Sequence, residues 1–369
     1  MSNIIVPFID LQQRFLEERE ELMNCVERVL EKGHLIMTPE VFEFEKKVVE
    51  YTGAKHCVTC GNGTDGLMLA LWAHGIGKGD EVITTPVSFV ASTGSIVHVG
   101  AKPVYVDVRD DQNINPALIE AKITTKTKAI LPVHWGGRIA DMNSIMAIAK
   151  KYNLKVIEDS AQSMGAYFHG KHGGTFGDAG TISMHPLKNL NALGDGGMML
   201  TNSDEIANKV RLYRNHGLQD RNTCVIYGVN SRLDALNAEI LKYRLTRLDG
   251  VIARRQANVA LYQDRIKAKQ IYIPPVSNNE KHSYVMFIVQ AEDRDALRSH
   301  LYQQGIETLV YYGTPLHLQP AAKRYGYKQG DFPVAEQQCE RVLALPHHQS
   351  LKSDQIELVA NAINDFYGA

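Results

Sequence analysis

Short apolar runs and helical stretches alternate along the first two thirds of the chain. The runs His56-Cys57-Val58-Thr59, Glu81-Val82-Ile83-Thr84-Thr85, Pro103 to Val108, Ala129 to His134, Lys155 to Asp159, Gly180 to Met184 and Met198 to Thr201 are rich in β-branched residues and apolar on both faces. Between them, residues 64–74, 89–99 and 141–152 carry helical periodicity. Strands apolar on both faces are strands covered on both faces, so the pattern predicts a mostly parallel sheet flanked by helices, the α/β class. From Ser231 onward the period turns helical, with a long amphipathic stretch at 232–266. It is followed by Ser283 to Val289, a helix at 293–304, the run Thr308 to Tyr312 and a last helix at 352–366. We read a large domain over 1–248 and a smaller α+β domain over 249–369, joined by a long helix. No Ser/Gly-rich tether or internal repeat interrupts the chain.

A chain of 369 residues exceeds what one core usually covers, and two domains create a cleft. Forty Lys and Arg against 41 Asp and Glu give a formal charge of −1, which offers no global attraction to nucleic acid or to an anionic membrane. Neither partner is expected. No window approaches the roughly 18 apolar residues of a membrane span, and the amino terminus lacks a signal-peptide pattern, so the expectation is a cytoplasmic protein. Five cysteines argue against a disulfide framework. Cys57 and Cys60, a lone C-x-x-C inside a strand-like run, read as packing residues, with no metal expected.

The chemistry concentrates where strands end, which in parallel sheets is where ligands gather. Asp159 closes the apolar run Val156-Ile157-Glu158, and His134 and Trp135 fall at another such end. A buried carboxylate needs a cation, and either an ion pair or a protonated pyridine nitrogen would supply one. Lys188 lies 29 positions later, in Ser183-Met184-His185-Pro186-Leu187-Lys188-Asn189-Leu190, a segment with little helical pattern just ahead of Gly194-Asp195-Gly196-Gly197. A surface role is the commonest for any lysine. An amine for a Schiff base and a carboxylate for the ring nitrogen are, however, the two groups that pyridoxal phosphate (PLP) chemistry demands. Gln162, three positions after Asp159, could reach the cofactor's phenolic oxygen. Gly61-Asn62-Gly63-Thr64-Asp65-Gly66 precedes an apolar helix, where backbone amides, Thr64 and the more distant Ser183 could hold a phosphate. Thr64 and Asp65 would serve equally as caps. Phe89 could stack on a flat ring or belong to the core.

These words resemble the DegT/DnrJ/EryC1/StrS group of PLP-dependent sugar aminotransferases, which share the type I aminotransferase fold. The resemblance runs in order through Pro7-Phe8-Ile9-Asp10-Leu11, Gly61 to Asp65, Gly100 to Val104, Ile157 to Gln162, Lys188-Asn189-Leu190, Gly194 to Gly197, Arg214-Asn215-His216-Gly217, Asn230-Ser231-Arg232-Leu233-Asp234, His317-Leu318-Gln319-Pro320 and Gly330 to Glu336. It implies a covalent link of PLP to Lys188 and a pyridinium contact from Asp159. It places Gln162 near the phenolic oxygen, Phe89 on the ring face, and Gly63, Thr64 and Ser183 around the phosphate. It also implies a homodimer with shared active sites, because Asn230 would reach the phosphate of the neighbouring subunit. After amino transfer the cofactor would be in its pyridoxamine form (PMP). The family usually moves an amino group from glutamate to a keto carbon of a nucleotide-diphosphate-linked deoxysugar.

Members acting at C3 tend to read Lys-Asn-Leu-Gly-Ala-(Leu or Tyr)-Gly-Asp-Gly-Gly, and those acting at C4 more often carry Thr-Thr-Gly-Glu-Gly-Gly after the lysine. Lys188 to Gly197 therefore sides with C3, with Asn191 in place of glycine, and C4 is the alternative. Three departures, His185 for a frequent tyrosine, Tyr311 for a histidine and Gly313 for a proline, bear on the sugar pocket. Arg232, Tyr312 and His317 are further substrate candidates, and Arg214 and Lys171 are candidate cations for the diphosphate. A sugar dehydratase on this fold would carry histidine in place of Lys188, and a non-catalytic regulator would have no need of the intact Lys188, Asp159 and Gln162.

Overall fold

The computed structural model describes residues 4–369. Seven strands form the central sheet: β1 (His56–Cys60), β2 (Glu81–Thr84), β3 (Lys102–Tyr105), β4 (Thr127–Ile130), β5 (Lys155–Asp159), β6 (Ala179–Ser183) and β7 (Gly197–Thr201). Their spatial order is β1-β7-β6-β5-β4-β2-β3. From β6 to β3 every pairing is parallel, and β7 alone runs against both its neighbours. All seven are the runs expected from sequence. The strand expected over 129–134 ends at Ile130, because Pro132 lacks an N–H and Trp135–Gly137 turns sharply, with Gly136 at φ 65°.

Ten α-helices accompany these strands: α1 (Leu11–Lys32), α2 (Pro39–Thr52), α3 (Gly63–Ala73), α4 (Val90–His98), α5 (Met142–Tyr152), α6 (Asp204–Tyr213), α7 (Ala235–Arg265), α8 (Arg294–Gln303), α9 (Pro333–Arg341) and α10 (Ser353–Tyr367). Local capping fixes where several begin. The Asn62 side chain accepts from Asp65 N at the head of α3, Asp141 accepts from Ser144 N at α5, and Asp234 accepts from Asn237 N at α7. Asn62 thus does the capping for which Thr64 and Asp65 were candidates, which leaves the Thr64 hydroxyl for another task.

A second sheet of β8 (Ile271–Tyr272), β9 (Phe287–Ala291) and β10 (Val342–Leu345) is antiparallel throughout. The run Thr308 to Tyr312 contributes only one bridge, Leu309 to Ala344, and otherwise forms loop at the cleft. α7 is continuous across residue 248. Its Leu241, Leu245, Leu248 and Ile252 pack in one apolar cluster with α2 and β7, and its Val259 and Tyr262 pack in another with β9 and α10. The amino-terminal segment joins the second cluster, since Val6 bridges to Ile306.

Arg214, one residue past α6 and 1% exposed, ties α2 to β1. Its Nη1 donates to Glu45 Oε1 (2.7 Å), to Thr59 Oγ1 (2.8 Å) and to the Thr59 carbonyl. Glu45 Oε1 in turn accepts from Thr59 N at 2.8 Å. Removing one partner of such a pair leaves an uncompensated buried charge. Arg214→Ala is therefore expected to lower unfolding free energy by about 3–5 kcal/mol in denaturant titration, and Arg214→Met with Glu45→Leu to regain most of it. A single mutant as stable as the parent would refute this.

Candidate active site

Strand ends and helix starts meet in one cleft of about 720 Å³. Its lining includes Gly63, Thr64, Phe89, Asp159, Gln162, Ser183, His185, Lys188, Tyr311 and Tyr312. That volume lies within the usual range for small-molecule sites, roughly 300–1,000 Å³.

Asp159 ends β5 and is nearly enclosed. Its Oδ2 accepts from Ser92 Oγ of α4 at 2.6 Å, and its Oδ1 accepts from Ala161 N at 3.2 Å. Burial pushes the carboxyl above its ordinary range, while these two hydrogen bonds and then the charge of Lys188 pull it back. Gln162 is oriented by its neighbour across the loop: Gly136 N donates to Gln162 Oε1 at 2.7 Å, which leaves the amide nitrogen as the donor still free. Behind them lies a buried polar network. His134 Nε2 bonds Glu158 Oε2 at 2.8 Å and Ala140 N donates to His134 Nδ1 at 3.2 Å, while Gly174 N and Gly177 N donate to the two Glu158 oxygens. His134 therefore shapes the loop that carries Gly136 and does not line the cleft.

Lys188 sits in the irregular segment between β6 and β7. Turn hydrogen bonds (Met184 N to Gly196 O, Ala192 N to Met184 O, Lys188 N to His185 O) give the segment its shape. Side chains from outside hold it in place: Asn189 Nδ2 donates to Ser283 O (2.7 Å), Arg244 Nη1 of α7 donates to Asn191 O (2.7 Å), and Arg14 of α1 reaches Asn189 O. Arg244 is itself fixed by Glu18 of α1 at 2.8 Å. Burial lowers the Lys188 pKa to about 8, against a smaller raising effect from Asp159. The two groups feel each other's charge without forming an ion pair.

At the other end of the cleft, α3 presents the amides of Gly63 and Thr64, which have no intrahelical acceptor. A Cβ on Gly63 would stand 2.9 Å from Ser183 Cβ, so only glycine lets this helix start close onto the end of β6. Phe89, the residue before α4, is 51% exposed, and its ring lies 6.0 Å from that of Tyr312. These residues fit pyridoxal phosphate. The buried Asp159 carboxyl has no cation partner among the described residues, Lys188 offers an amine of lowered basicity, and a helix start with a serine offers an anion cradle.

Five sequence candidates lie elsewhere. His317 is buried away from the cleft, with Nε2 on Glu336 Oε1 at 3.0 Å and its ring edge on Phe332, so it holds the loop before α9 and is not a substrate contact of this cleft. Arg214 is spent on Glu45. Lys171 is on the surface over the Phe176 ring. Arg232 binds Asn215 Oδ1 at 3.0 Å, and Asn230 is exposed; neither lines the cleft of its own chain. Conversely, Phe8, Arg255, Met286, His347 and His348 line it and were not singled out from sequence as site residues. Arg255 did leave a signal, because Leu248, Ile252, Arg255, Val259 and Tyr262 form one helical stripe in which a single cation interrupts apolar residues.

Among the described residues no helix is long and apolar enough to cross a membrane. Cys57 and Cys60 are buried in β1, and all five cysteines are unpaired.

The sequence matches the DegT/DnrJ/EryC1/StrS aminotransferase family over residues 16–364. It is 42% identical to a "pleiotropic regulatory protein" of Geobacillus stearothermophilus, over 98% of each chain. It is also 42% identical to a dTDP-3-amino-3,6-dideoxy-alpha-D-galactopyranose transaminase of Aneurinibacillus thermoaerophilus, over 98% of this chain and 99% of that one. DesV of S. venezuelae, solved in complex with a ketimine intermediate, superposes with a TM-score of 0.97 at 36% identity, with all of both chains covered. The chain belongs to the DegT/DnrJ/EryC1/StrS aminotransferase family, and it is a pyridoxal phosphate-dependent transaminase.

Proposed function

We propose that this protein moves an amino group from glutamate to the C3 keto carbon of a keto-deoxysugar linked to dTDP or UDP, in the making of an amino sugar. The observation that carries the reading is the meeting of Lys188 and Asp159 in one cleft, with the Lys188-Asn189-Leu190-Asn191-Ala192-Leu193-Gly194-Asp195-Gly196-Gly197 wording around the lysine. The C3 transaminase name of one relative supports the regiochemistry. The regulatory name of another does not outweigh an intact lysine, aspartate and glutamine.

Asp159, Gln162, Phe89, Gly63, Thr64 and Ser183 would hold the cofactor, which supplies an electron-accepting ring when bound. Asp159, oriented by its two hydrogen bonds, would hold the proton on the ring nitrogen, and Gln162 would offer its amide N–H to the phenolic oxygen. Lys188 Nζ removes the proton from the α-carbon of the amino donor and, in the second half-reaction, delivers one to C3 of the sugar. His185, Tyr311 and Tyr312 face the sugar. The working unit is a homodimer in which Asn230 reaches the partner's phosphate site. The exposure of Asn230, of Tyr227 beside it (96% exposed) and of Phe15, Leu16 and Met23 along α1 supports this. We divide the chain into a cofactor-holding part, 1–248, and a smaller part, 249–369. Five unpaired cysteines suit a cytoplasmic setting.

Glutamate supplied with a panel of 3-keto and 4-keto nucleotide sugars should yield product only from the 3-keto members, with the new amine on C3 by NMR. An amine on C4 would overturn the regiochemistry. Lys188→Ala should lose at least about 10²–10⁴ in rate while the protein still folds, and residual turnover within about tenfold of the parent would remove Lys188 from its role. Because burial sets its pKa at about 8, its nucleophilic neutral form grows as pH rises through that value. Covalent uptake of PLP by apoprotein, followed by the absorbance near roughly 410–430 nm, should therefore accelerate with a midpoint near pH 8. An exposed lysine would place that midpoint near about 10.4.

A further inference from the structure

Arg255 is 2% exposed and lines the same cleft as Lys188, yet it differs from the other buried arginines. Arg14, Arg214 and Arg244 each face a glutamate, at 3.5, 2.7 and 2.8 Å. No carboxylate among the described residues lies within ion-pair distance of Arg255. Its Nη1 donates to the carbonyls of Tyr284 and Val285, both at 3.1 Å, and its Nη2 donates to Gln349 Oε1 at 3.3 Å. Its Nε–H is buried and donates to nothing described. Three neutral acceptors position the guanidinium and leave its charge uncancelled. A buried charge without a counter-ion costs several kcal/mol.

Two histidines of the loop after β10 stand beside it. His347 Nε2 bonds Tyr284 O at 2.7 Å, and burial and then the Arg255 charge push its pKa down to about 3, so it is neutral. His348 also lines the cleft, and its Nε2 is buried without a partner. An unspent Nε–H and an unspent imidazole nitrogen in one enclosed corner describe a place for an anion.

Three kinds of anion enter this cleft under the proposed function. The cofactor phosphate belongs to the Gly63, Thr64 and Ser183 end. A nucleotide diphosphate carries a sugar on one side and a nucleoside on the other, so it needs a channel open in two directions, and a guanidinium 2% exposed does not offer one. A carboxylate is a terminal group and fits a closed corner. We infer that Arg255, with His348 beside it, is the carboxylate subsite for the amino donor, receiving a carboxylate side-on through Nε–H and the second Nη2–H. The inference rests on the aminotransferase reading above and adds the recognition of the donor.

The test titrates holoenzyme with glutarate, an unreactive dicarboxylate, by calorimetry, and follows the half-reaction with glutamate through the cofactor's absorbance. Arg255→Gln keeps donors for the carbonyls and removes the charge. It should weaken glutarate binding and raise the half-saturating glutamate concentration about 10–100-fold, as expected for a lost charged hydrogen bond. Arg255→Lys should recover part of the loss. Half-saturation by the nucleotide sugar should not move. Alanine and glutamine as donors separate the two carboxylates: a loss shared by all donors assigns the α-carboxylate, and a loss confined to glutamate assigns the side-chain carboxylate.

Unchanged glutarate affinity in an Arg255→Gln protein of native melting temperature and cofactor spectrum overturns the subsite, as does a loss that falls on the nucleotide sugar instead. Should neither Arg255 variant fold, His348→Gln carries the test, and glutarate affinity equal to the parent's overturns the inference. A parent enzyme inert to glutamate would defeat the donor reading of the proposed function, while glutarate binding would still report on Arg255.

Discussion

Desolvation of two opposite charges in one cleft is the constraint on which this molecule depends. Burial drives the Asp159 carboxyl toward neutrality and the Lys188 amine toward neutrality, and each opposes the effect on the other without contact. An ion pair between them would satisfy both and leave neither available to a ligand. Keeping them apart requires rigid backbone at both positions, and the polar interior supplies it. Ser92 and Ala161 N hold the carboxylate. The lysine segment, which has no regular structure to fix it, is held by Asn189, Arg14 and Arg244.

This arrangement explains why so many buried charges lie far from the reaction. Glu18 of α1 binds Arg244 of α7, and Arg244 binds the backbone two positions past Asn189. Glu45 and Arg214 lock α2 to β1, the strand that leads directly into the Asn62–Thr64 turn. Each pair converts a helix position into a backbone position at the cleft. Buried pairs contribute little net stability over apolar packing, so their use here is geometric.

The two apolar clusters meet along α7, and the cleft draws on both. Leu248 and Ile252 belong to the cluster under the large sheet, Val259 and Tyr262 to the cluster under the small one, and Arg255 lies between them. That position lets one helix carry a charge into the cleft from the seam between two cores. His347 and His348 arrive at the same seam from the loop after β10.

Periodicity alone determined the seven strands of the main sheet and the helices over α3, α4, α5, α7, α8 and α10, because apolar runs of strand length and helical stripes are local properties. The ordered words from Pro7 to Glu336 marked the family, and with it Lys188, Asp159, Gln162, Phe89, Gly63, Thr64 and Ser183, which the fold brings to one cleft. Tertiary structure decided what partners do. His317, Arg214 and Arg232 are polar residues in family words, yet Glu336, Glu45 and Asn215 occupy them, and a partner 17 to 169 positions away is invisible to a local pattern. Arg255 and His348 show the converse. The apolar stripe of α7 marks Arg255 as buried, but that its charge meets no carboxylate, and that His348 Nε2 meets no partner, is decided by which side chains the assembled layers bring around them.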